Sequence, residues 1–207
     1  NRGESWQAIS PVLTDRTITS LEVSPADPNI IYASTYTTLF RSLNGGNSWN
    51  EVYSAPGGSP IRNIKADPTN PNIVYLTMGG YVASRHVMVS TNRGSTFQSI
   101  TFNLPNVPAL DIEIHKVTGN MYVGTDLGVF FKGKDDQEWQ RYGSQLPNTM
   151  VRDVEIAYNE GYVYAATYGR GLWRAPVSQS TAHNFIIAPT NLIFEAAPAA
   201  CQDVSII

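Results

Sequence analysis

Two aspartates occupy equivalent positions in two similar segments of the chain. Residues 109–114 read Ala-Leu-Asp-Ile-Glu-Ile and residues 151–156 read Val-Arg-Asp-Val-Glu-Ile, so Asp111 is in register with Asp153. Inverting hydrolysis of a glycosidic bond uses two carboxyl groups about 6.5–9.5 Å apart, one as acid and one as base. We predict that Asp111 and Asp153 are such a pair; the alternative is that they bond water and neighbouring backbone. Related polar positions in the same repeated pattern are Ser20, Asn63, Glu22, Lys65, Glu113 and Glu155.

A second group of residues combines tyrosine rings with charged side chains in segments where glycine and polar residues favour loops. Aromatic faces stack on the C–H side of a sugar, while polar groups bond its hydroxyls. The group therefore predicts a carbohydrate-binding surface; the alternative is that its members are ordinary loop residues that shape turns. The members are Tyr36, Tyr81, Arg85, Asp126, Tyr168 and Arg170. Residues 56–59, 105–108 and 147–149 are expected to border the same surface.

No metal, cofactor or nucleophile site is expected elsewhere. His86, His115 and His183 are scattered without the spacing of metal ligands. A single cysteine, Cys201, leaves no intrachain disulfide or cysteine-based zinc site. We interpret it as a small buried residue or as half of a disulfide whose partner lies beyond Ile207. No Gly-x-Ser-x-Gly elbow or phosphate-binding loop occurs.

The composition is that of a globular domain and argues against nucleic-acid binding and a membrane-spanning helix. The 207 residues suffice for one large domain, and 42% of them are hydrophobic. The net charge of −3 gives no basic footprint for a nucleic acid. No apolar run approaches the ~20 residues that span a bilayer as a helix.

Two unrelated patterns repeat along the chain with the same irregular spacing. A box segment, Ser42–Trp49 (Ser-Leu-Asn-Gly-Gly-Asn-Ser-Trp), recurs as Ser90–Phe97, in truncated form before Trp6 and in degenerate form before Trp139. A strand-like pattern starts near residues 18, 61, 109 and 151, with steps of 43, 48 and 42 residues. The aromatic ends of the box segments follow the same steps. The shared spacing predicts four structural units.

Each unit is predicted to be a four-stranded antiparallel sheet. Short runs of β-branched and aromatic residues alternate with period two, and Gly, Pro, Asn and Asp separate them. In the first unit we expect strands near residues 17–24, 29–35, 38–42 and 48–53. No helix of ten or more residues is predicted. Four-stranded units of this length are typical of β-propeller blades, so the fold class is all-β.

The box segments resemble the Asp-box, or bacterial neuraminidase repeat, of β-propellers such as family 74 glycoside hydrolases and sortilin-type receptors. The resemblance covers about residues 1–176. It implies that residues 1–178 are blades from the C-terminal part of a larger propeller, with the remaining blades elsewhere in the same protein. It implies that the box residues are structural and lie at the blade periphery, with the glycines in left-handed conformation. These residues are Ser42, Asn44, Gly46, Trp49, Ser90, Asn92, Gly94 and Phe97.

The same resemblance implies a secreted or surface-located bacterial protein that binds or hydrolyses polysaccharide at the mouth of the propeller channel. If the full-length protein is catalytic, it is expected to be an inverting, endo-acting glycoside hydrolase. The alternatives are a non-catalytic propeller that binds a protein or peptide, and a structural module of a surface protein.

Both ends of the chain depart from the repeat. Asn1 begins inside a box segment, so preceding chain is expected, and residues 1–10 are expected to form a strand of a preceding or closing blade. No fourth strand is apparent after Pro176. Residues 179–207 are interpreted as a linker with the start of an immunoglobulin-like or polycystic-kidney-disease-type module, or as a tail packed on the last blade.

Overall fold

A computed structural model describes residues 3–10, 13 and 16–178, and the backbone of 195–196. These residues form four antiparallel sheets of four strands each. The first sheet contains β1 (Ser20–Val23), β2 (Ile31–Ser34), β3 (Thr38–Ser42) and β4 (Asn50–Ser54). The second contains β5 (Ile61–Ala66), β6 (Val74–Met78), β7 (Val87–Ser90) and β8 (Gln98–Ser99). The third contains β9 (Ala109–Ile114), β10 (Met121–Thr125), β11 (Gly128–Lys132) and β12 (Gln140–Tyr142). The fourth contains β13 (Val151–Ala157), β14 (Tyr162–Thr167), β15 (Leu172–Pro176) and β16 (Glu195–Ala196).

The strands follow chain order in every sheet, as the repeat predicts. The first strands of successive sheets contact one another, β1 with β5, β5 with β9 and β9 with β13, so they form the inner edge of the array. The one helical element of the described residues is a three-residue 3-10 turn, Pro56–Gly58. The prediction of an all-β chain with four-stranded units is confirmed.

The core lies in three apolar layers between neighbouring sheets. Strands β2, β6 and β10 are buried along their whole length because sheets or loops cover both faces. The layers include Tyr32 and Leu76 between the first and second sheets, and Ile112 and Val123 between the second and third. Strand β1 instead alternates between half-buried and exposed residues. Leu21 on this strand is 64% exposed, since no other sheet of the described residues packs on the outer face of the first one.

The two complete box segments form the turns that connect the third and fourth strands of the first two sheets. In the first, Ser42 Oγ accepts hydrogen bonds from the backbone N–H groups of Asn44 (3.3 Å) and Gly46 (2.9 Å). The Asn44 side chain accepts from Ser48 N (2.8 Å), and Trp49 Nε1 donates to Gly46 O (2.9 Å). Ser42 is therefore the hub that closes this turn.

The second box segment repeats the serine and asparagine hydrogen bonds of this network around Ser90. Ser90 Oγ accepts from Asn92 N (3.2 Å) and Gly94 N (2.8 Å), and Asn92 Oδ1 accepts from Thr96 N (2.9 Å). Phe97 replaces the tryptophan and packs against Tyr53 of the preceding sheet, with ring centroids 4.7 Å apart. Gly46 and Gly94 have φ values of +94° and +81°, so the predicted left-handed conformation is present at both.

The degenerate box segment of the third sheet closes its turn with a lysine. Lys132 stands where the other copies have Ser42 and Ser90, and it is only 3% exposed. Its Nζ donates to the backbone carbonyls of Gly133 (2.9 Å), Lys134 (3.2 Å) and Asp136 (2.7 Å). Burial lowers the pKa of Lys132, partly offset by the carboxylates of Asp136 and Asp135. The ammonium thus takes the place of the serine hydroxyl.

The fourth sheet receives its outermost strand from the C-terminal segment. Strand β16 pairs with β15 through Trp173↔Ala196 and Arg174↔Glu195. The sequence showed no such strand, because two residues are too few to give a pattern. The described residues 3–10 form no strand, and Trp6 is 93% exposed. Ile9 instead lies beside Gly46, where a β-carbon would be 3.0 Å from Ile9 Cδ1. The strand expected for 1–10 in a preceding blade stays a prediction. His183, Cys201 and the suggested tail module lie outside the described residues.

Candidate functional site

The loops between the second and third strands of each sheet lie on the same side of the array as the connections between sheets. Backbone hydrogen bonds join the two loop classes: Ile61 N donates to Tyr36 O (2.7 Å), Gly79 N to Pro60 O (2.7 Å), and Tyr168 N to Met150 O (2.8 Å). We call this side the loop face. The box turns lie at the opposite ends of the strands.

Three tyrosines of the predicted group extend into solvent on the loop face. Tyr36, Tyr81 and Tyr168 are 55%, 67% and 65% exposed. They belong to the loops β2–β3, β6–β7 and β14–β15, that is, to three different sheets. Their exposure leaves the rings accessible to solvent; the carbohydrate-binding role expected for them stays a prediction.

The charged members of the group also lie in these loops. Arg85 is exposed and donates from Nη1 to Pro56 O (3.4 Å) in the neighbouring connection. Arg170 is exposed at a turn tip between Gly169 and Gly171, whose φ values are +75° and +77°. Asp126 is half-buried in the two-residue turn between β10 and β11, and its buried Oδ1 has no hydrogen-bond partner in the described part of the chain.

Asp111 lies on inner strand β9, and both of its carboxylate oxygens accept hydrogen bonds from neighbouring sheets. Asn63 Nδ2 of the second sheet donates to Oδ1 (2.6 Å), and Val154 N of the fourth sheet donates to Oδ2 (2.7 Å). Burial, together with the negative charge of Asp153, raises the pKa of Asp111 to about 6, although backbone hydrogen bonds from Val154 and Ile112 act in the opposite direction. The structure thus brings Asp111 and Asp153 together, with Asp111 6% exposed and Asp153 exposed.

A second carboxylate makes the same type of contact between the first two sheets. Glu22 Oε1 of the first sheet accepts a hydrogen bond from Ala66 N of the second sheet (2.9 Å). In the same way, Asp111 of the third sheet accepts a hydrogen bond from Val154 N, the residue after Asp153, in the fourth sheet. Burial raises the pKa of Glu22, although this hydrogen bond and Lys65 act in the opposite direction. The polar inner positions therefore connect adjacent sheets, which is the alternative role considered for them from sequence.

Lys65 and Glu113 form an ion pair between the inner strands β5 and β9, with side-chain exposures of 26% and 8%. Burial raises the pKa of Glu113 to about 7 even though the Lys65 charge lowers it. Burial acts to lower the pKa of Lys65, but the charge and hydrogen bond of Glu113, with help from Glu22 and Glu155, raise it overall. Charged side chains on the inner edge thus interact electrostatically from one sheet to the next.

Sequence reasoning missed two arginines at the loop face, Arg62 and Arg152. Both are exposed, and they occupy equivalent positions in β5 and β13, one residue after the strand begins. The guanidinium of Arg152 lies 5.0 Å from the ring centroid of Tyr168. Their signal in the sequence was the shared register of Ile61-Arg-Asn63 with Val151-Arg-Asp153.

Within the described ranges, no group of three or more His, Cys, Asp or Glu side chains is placed to hold a metal ion. His86 is buried, and its Nε2 lies 2.9 Å from Asn106 Oδ1. His115 accepts from Thr118 N at Nδ1 (3.1 Å). In the same described ranges, no helix is long and apolar enough to cross a membrane.

No known protein family matches the sequence, and no curated protein matches it. Solved structures do match the fold. An ancestral GH74 enzyme is 22% identical with a TM-score of 0.65, and the alignment covers 89% of this chain and 27% of that one. A Bacteroides thetaiotaomicron auxiliary nutrient-binding protein is 15% identical with a TM-score of 0.61, covering 78% and 39%.

A structure of YCF48 bound to D1 peptide is 11% identical with a TM-score of 0.59, covering 86% of this chain and 57% of that one. The fold class follows from these likenesses together with the four sheets: the chain is a segment of a β-propeller of the kind found in GH74 enzymes and YCF48. It spans between about a quarter and three fifths of the length of these neighbours.

Proposed function

We propose that this propeller segment binds polysaccharide on its loop face. The observation that supports the proposal best is the exposure of Tyr36, Tyr81 and Tyr168 on the same side of three sheets. Tyrosine rings held on short loops offer flat apolar surfaces at a small cost in side-chain entropy, and the nearby arginines supply hydrogen-bond donors for hydroxyl groups.

Hydrolysis of the polysaccharide is the second part of the proposal. Burial raises the pKa of Asp111 to about 6, which is the direction that a general acid requires, and Asp153 lies next to it. Both oxygens of Asp111 already accept hydrogen bonds, however, and this occupancy favours a positioning role. Binding is therefore the better supported part.

The box turns support the Asp-box interpretation, because Ser42 and Ser90 accept the same pair of backbone hydrogen bonds in their turns. Together with this resemblance, the fold supports a secreted or surface-located protein. We propose further blades of the same protein as partners, since Leu21 and Val23 on the outer face of the first sheet are 64% and 45% exposed.

The experiment is affinity electrophoresis through gels that contain neutral or acidic glycans: xyloglucan, mixed-linkage β-glucan or polygalacturonate. We expect at least one glycan to retard the protein and Tyr168→Ala to reduce the retardation several-fold. Tyr158→Ala is the matched control, because Tyr158 is also exposed but lies in the β13–β14 turn at the opposite end of the strands. Unretarded migration through every gel contradicts the binding proposal. Reducing-sugar release that is unchanged in both Asp111→Asn and Asp153→Asn contradicts the catalytic part.

A protein or peptide ligand at the same face is the second candidate. It is favoured by the likeness to YCF48, whose structure contains a bound D1 peptide. Saturable binding of a peptide, with no glycan retained, would select it.

A further inference from the structure

Three of the four inner strands contain a one-residue bulge near the loop face. In β5, Ile61 pairs with Met78 and Asn63 with Thr77, which leaves Arg62 without a partner. The same shift leaves Arg152 unpaired in β13 and Leu110 unpaired in β9. A bulged residue interrupts the ladder and turns its side chain away from the regular direction. Arg62 and Arg152 are exposed as a result.

Each bulge arginine lies beside a loop that carries one of the exposed tyrosines. Arg152 lies over the ring of Tyr168 at 5.0 Å. Arg62 crosses Gly79, where a β-carbon would be 2.5 Å from Arg62 Nε and 2.8 Å from Pro60 Cγ. The missing side chain at Gly79 thus makes room for Arg62 next to the loop that contains Tyr81. Sheets two and four therefore each place a bulge arginine beside a loop that carries an exposed tyrosine.

The loop face concentrates positive charge on an acidic chain. Arg62, Arg85, Arg152 and Arg170 lie there, and none of the four forms an ion pair within the described part of the chain. The loop face also contains the half-buried Asp126 and the exposed Asp153. The net charge of the whole chain is −3, so this charge is not a general property of the surface.

We propose that the loop face binds an acidic polysaccharide, one whose sugars carry carboxylate groups, as uronic acids do; this rests on the polysaccharide-binding function proposed above. Guanidinium groups pair with carboxylates through two parallel hydrogen bonds, which fixes both distance and orientation. Tyrosine rings beside them stack on the sugar that carries the carboxylate. Exposed tyrosines and arginines on more than one sheet favour a repeating glycan over an acidic peptide.

The test measures binding of oligogalacturonides and of neutral xyloglucan oligosaccharides of equal length by isothermal titration calorimetry. We expect the acidic ligand to bind at least about tenfold more tightly, since loss of one charge-assisted contact typically costs about that factor. Arg62→Gln/Arg152→Gln is expected to weaken binding of the acidic ligand about tenfold or more and to reduce its salt dependence. Arg174→Gln is the matched control: it removes one charge elsewhere, from a surface pair with Glu160 (3.9 Å).

Arg62→Lys/Arg152→Lys keeps the charge and is expected to recover part of the affinity, which separates binding from misfolding. Equal affinity for neutral and acidic ligands, or an unaffected double glutamine variant, overturns this inference and leaves the polysaccharide-binding function standing. Equal binding of dextran sulfate also overturns it, because it indicates unspecific attraction of polyanions. Absence of binding of the oligogalacturonide, or tighter binding of a poly-glutamate peptide, overturns this inference. The polysaccharide-binding function itself is contradicted only when every glycan gel leaves the protein unretarded.

Discussion

Replacing Lys65 by methionine tests how the charge of Glu113 on the inner edge of the array affects the stability of the folded protein. The substitution keeps most of the apolar stem and removes the ammonium that pairs with Glu113, a side chain only 8% exposed. Glu22, Glu155 and Asp111 are the other acidic groups in this environment. Glu113 then faces only groups of like charge, and its ionised form loses its partner.

The expected magnitude depends on pH. The pKa of Glu113 is raised to about 7 in the folded protein, above the value of roughly 4.3 in an unfolded chain. Protonation of Glu113 therefore stabilises the folded state, fully so below about pH 4, and this contribution is lost as the pH rises to about 7. Breaking a buried ion pair costs about 3–5 kcal/mol, and the partial exposure of Lys65 reduces this to about 2–3 kcal/mol at pH 8. At pH 5 the carboxyl group is protonated in the folded state, and we expect a loss below about 1 kcal/mol.

Urea denaturation followed by tryptophan fluorescence at pH 5 and pH 8 measures both losses. Lys65→Met/Glu113→Gln is expected to recover most of the stability at pH 8, because it removes the unpaired charge together with its partner. Lys116→Met serves as control, since Lys116 is an exposed lysine that lies over the Tyr158 ring at 4.1 Å. Equal losses at the two pH values, or no recovery in the double variant, would refute the electrostatic reasoning.

Three further predictions concern the backbone and the turns. Gly124→Ala is expected to destabilise the protein by about 2–3 kcal/mol in urea denaturation, because the added β-carbon would lie 2.8 Å from Val151 O. The control Gly161→Ala, at φ +73° in open space, is expected to cost only about 1 kcal/mol. Equal losses in the two variants contradict this prediction. Ser90→Ala is expected to cost about 1–3 kcal/mol in the same assay, since two backbone N–H groups lose their acceptor; an unchanged midpoint contradicts the hub role. Lys132→Met is expected to lower the melting temperature by several degrees because three carbonyls lose their donor, and a melting temperature at or above the parent's contradicts this.

The fold was largely predictable because its information is local. Period-two alternation and turn residues gave the strands, and the shared steps of 43, 48 and 42 residues gave the number of sheets. In the first unit the expected strands at 17–24, 29–35, 38–42 and 48–53 enclose or overlap the observed β1 to β4. The placement of Tyr36 and Tyr168 on loops followed from the same register.

The details of the site were not predictable because they depend on contacts between distant residues. The partners of Asp111 are Asn63 and Val154, which are 48 and 43 residues away along the chain. The bulges at Arg62 and Arg152 exist only relative to the strand opposite, and no residue type specifies them. Strand β16 is fixed by its pairing with β15 and is too short to have a pattern of its own.

Lys132 shows how a degenerate box segment still closes its turn without the consensus serine. The serine hubs of the first two turns mainly accept hydrogen bonds from N–H groups, whereas the lysine hub donates to carbonyls, so the peptide groups around it point the other way. A consensus design that simply wrote serine at this position would leave those carbonyls facing a group too short to reach all three. Engineering a regular array from this chain therefore requires replacing the whole turn, that is, the residue at position 132 together with the backbone around it.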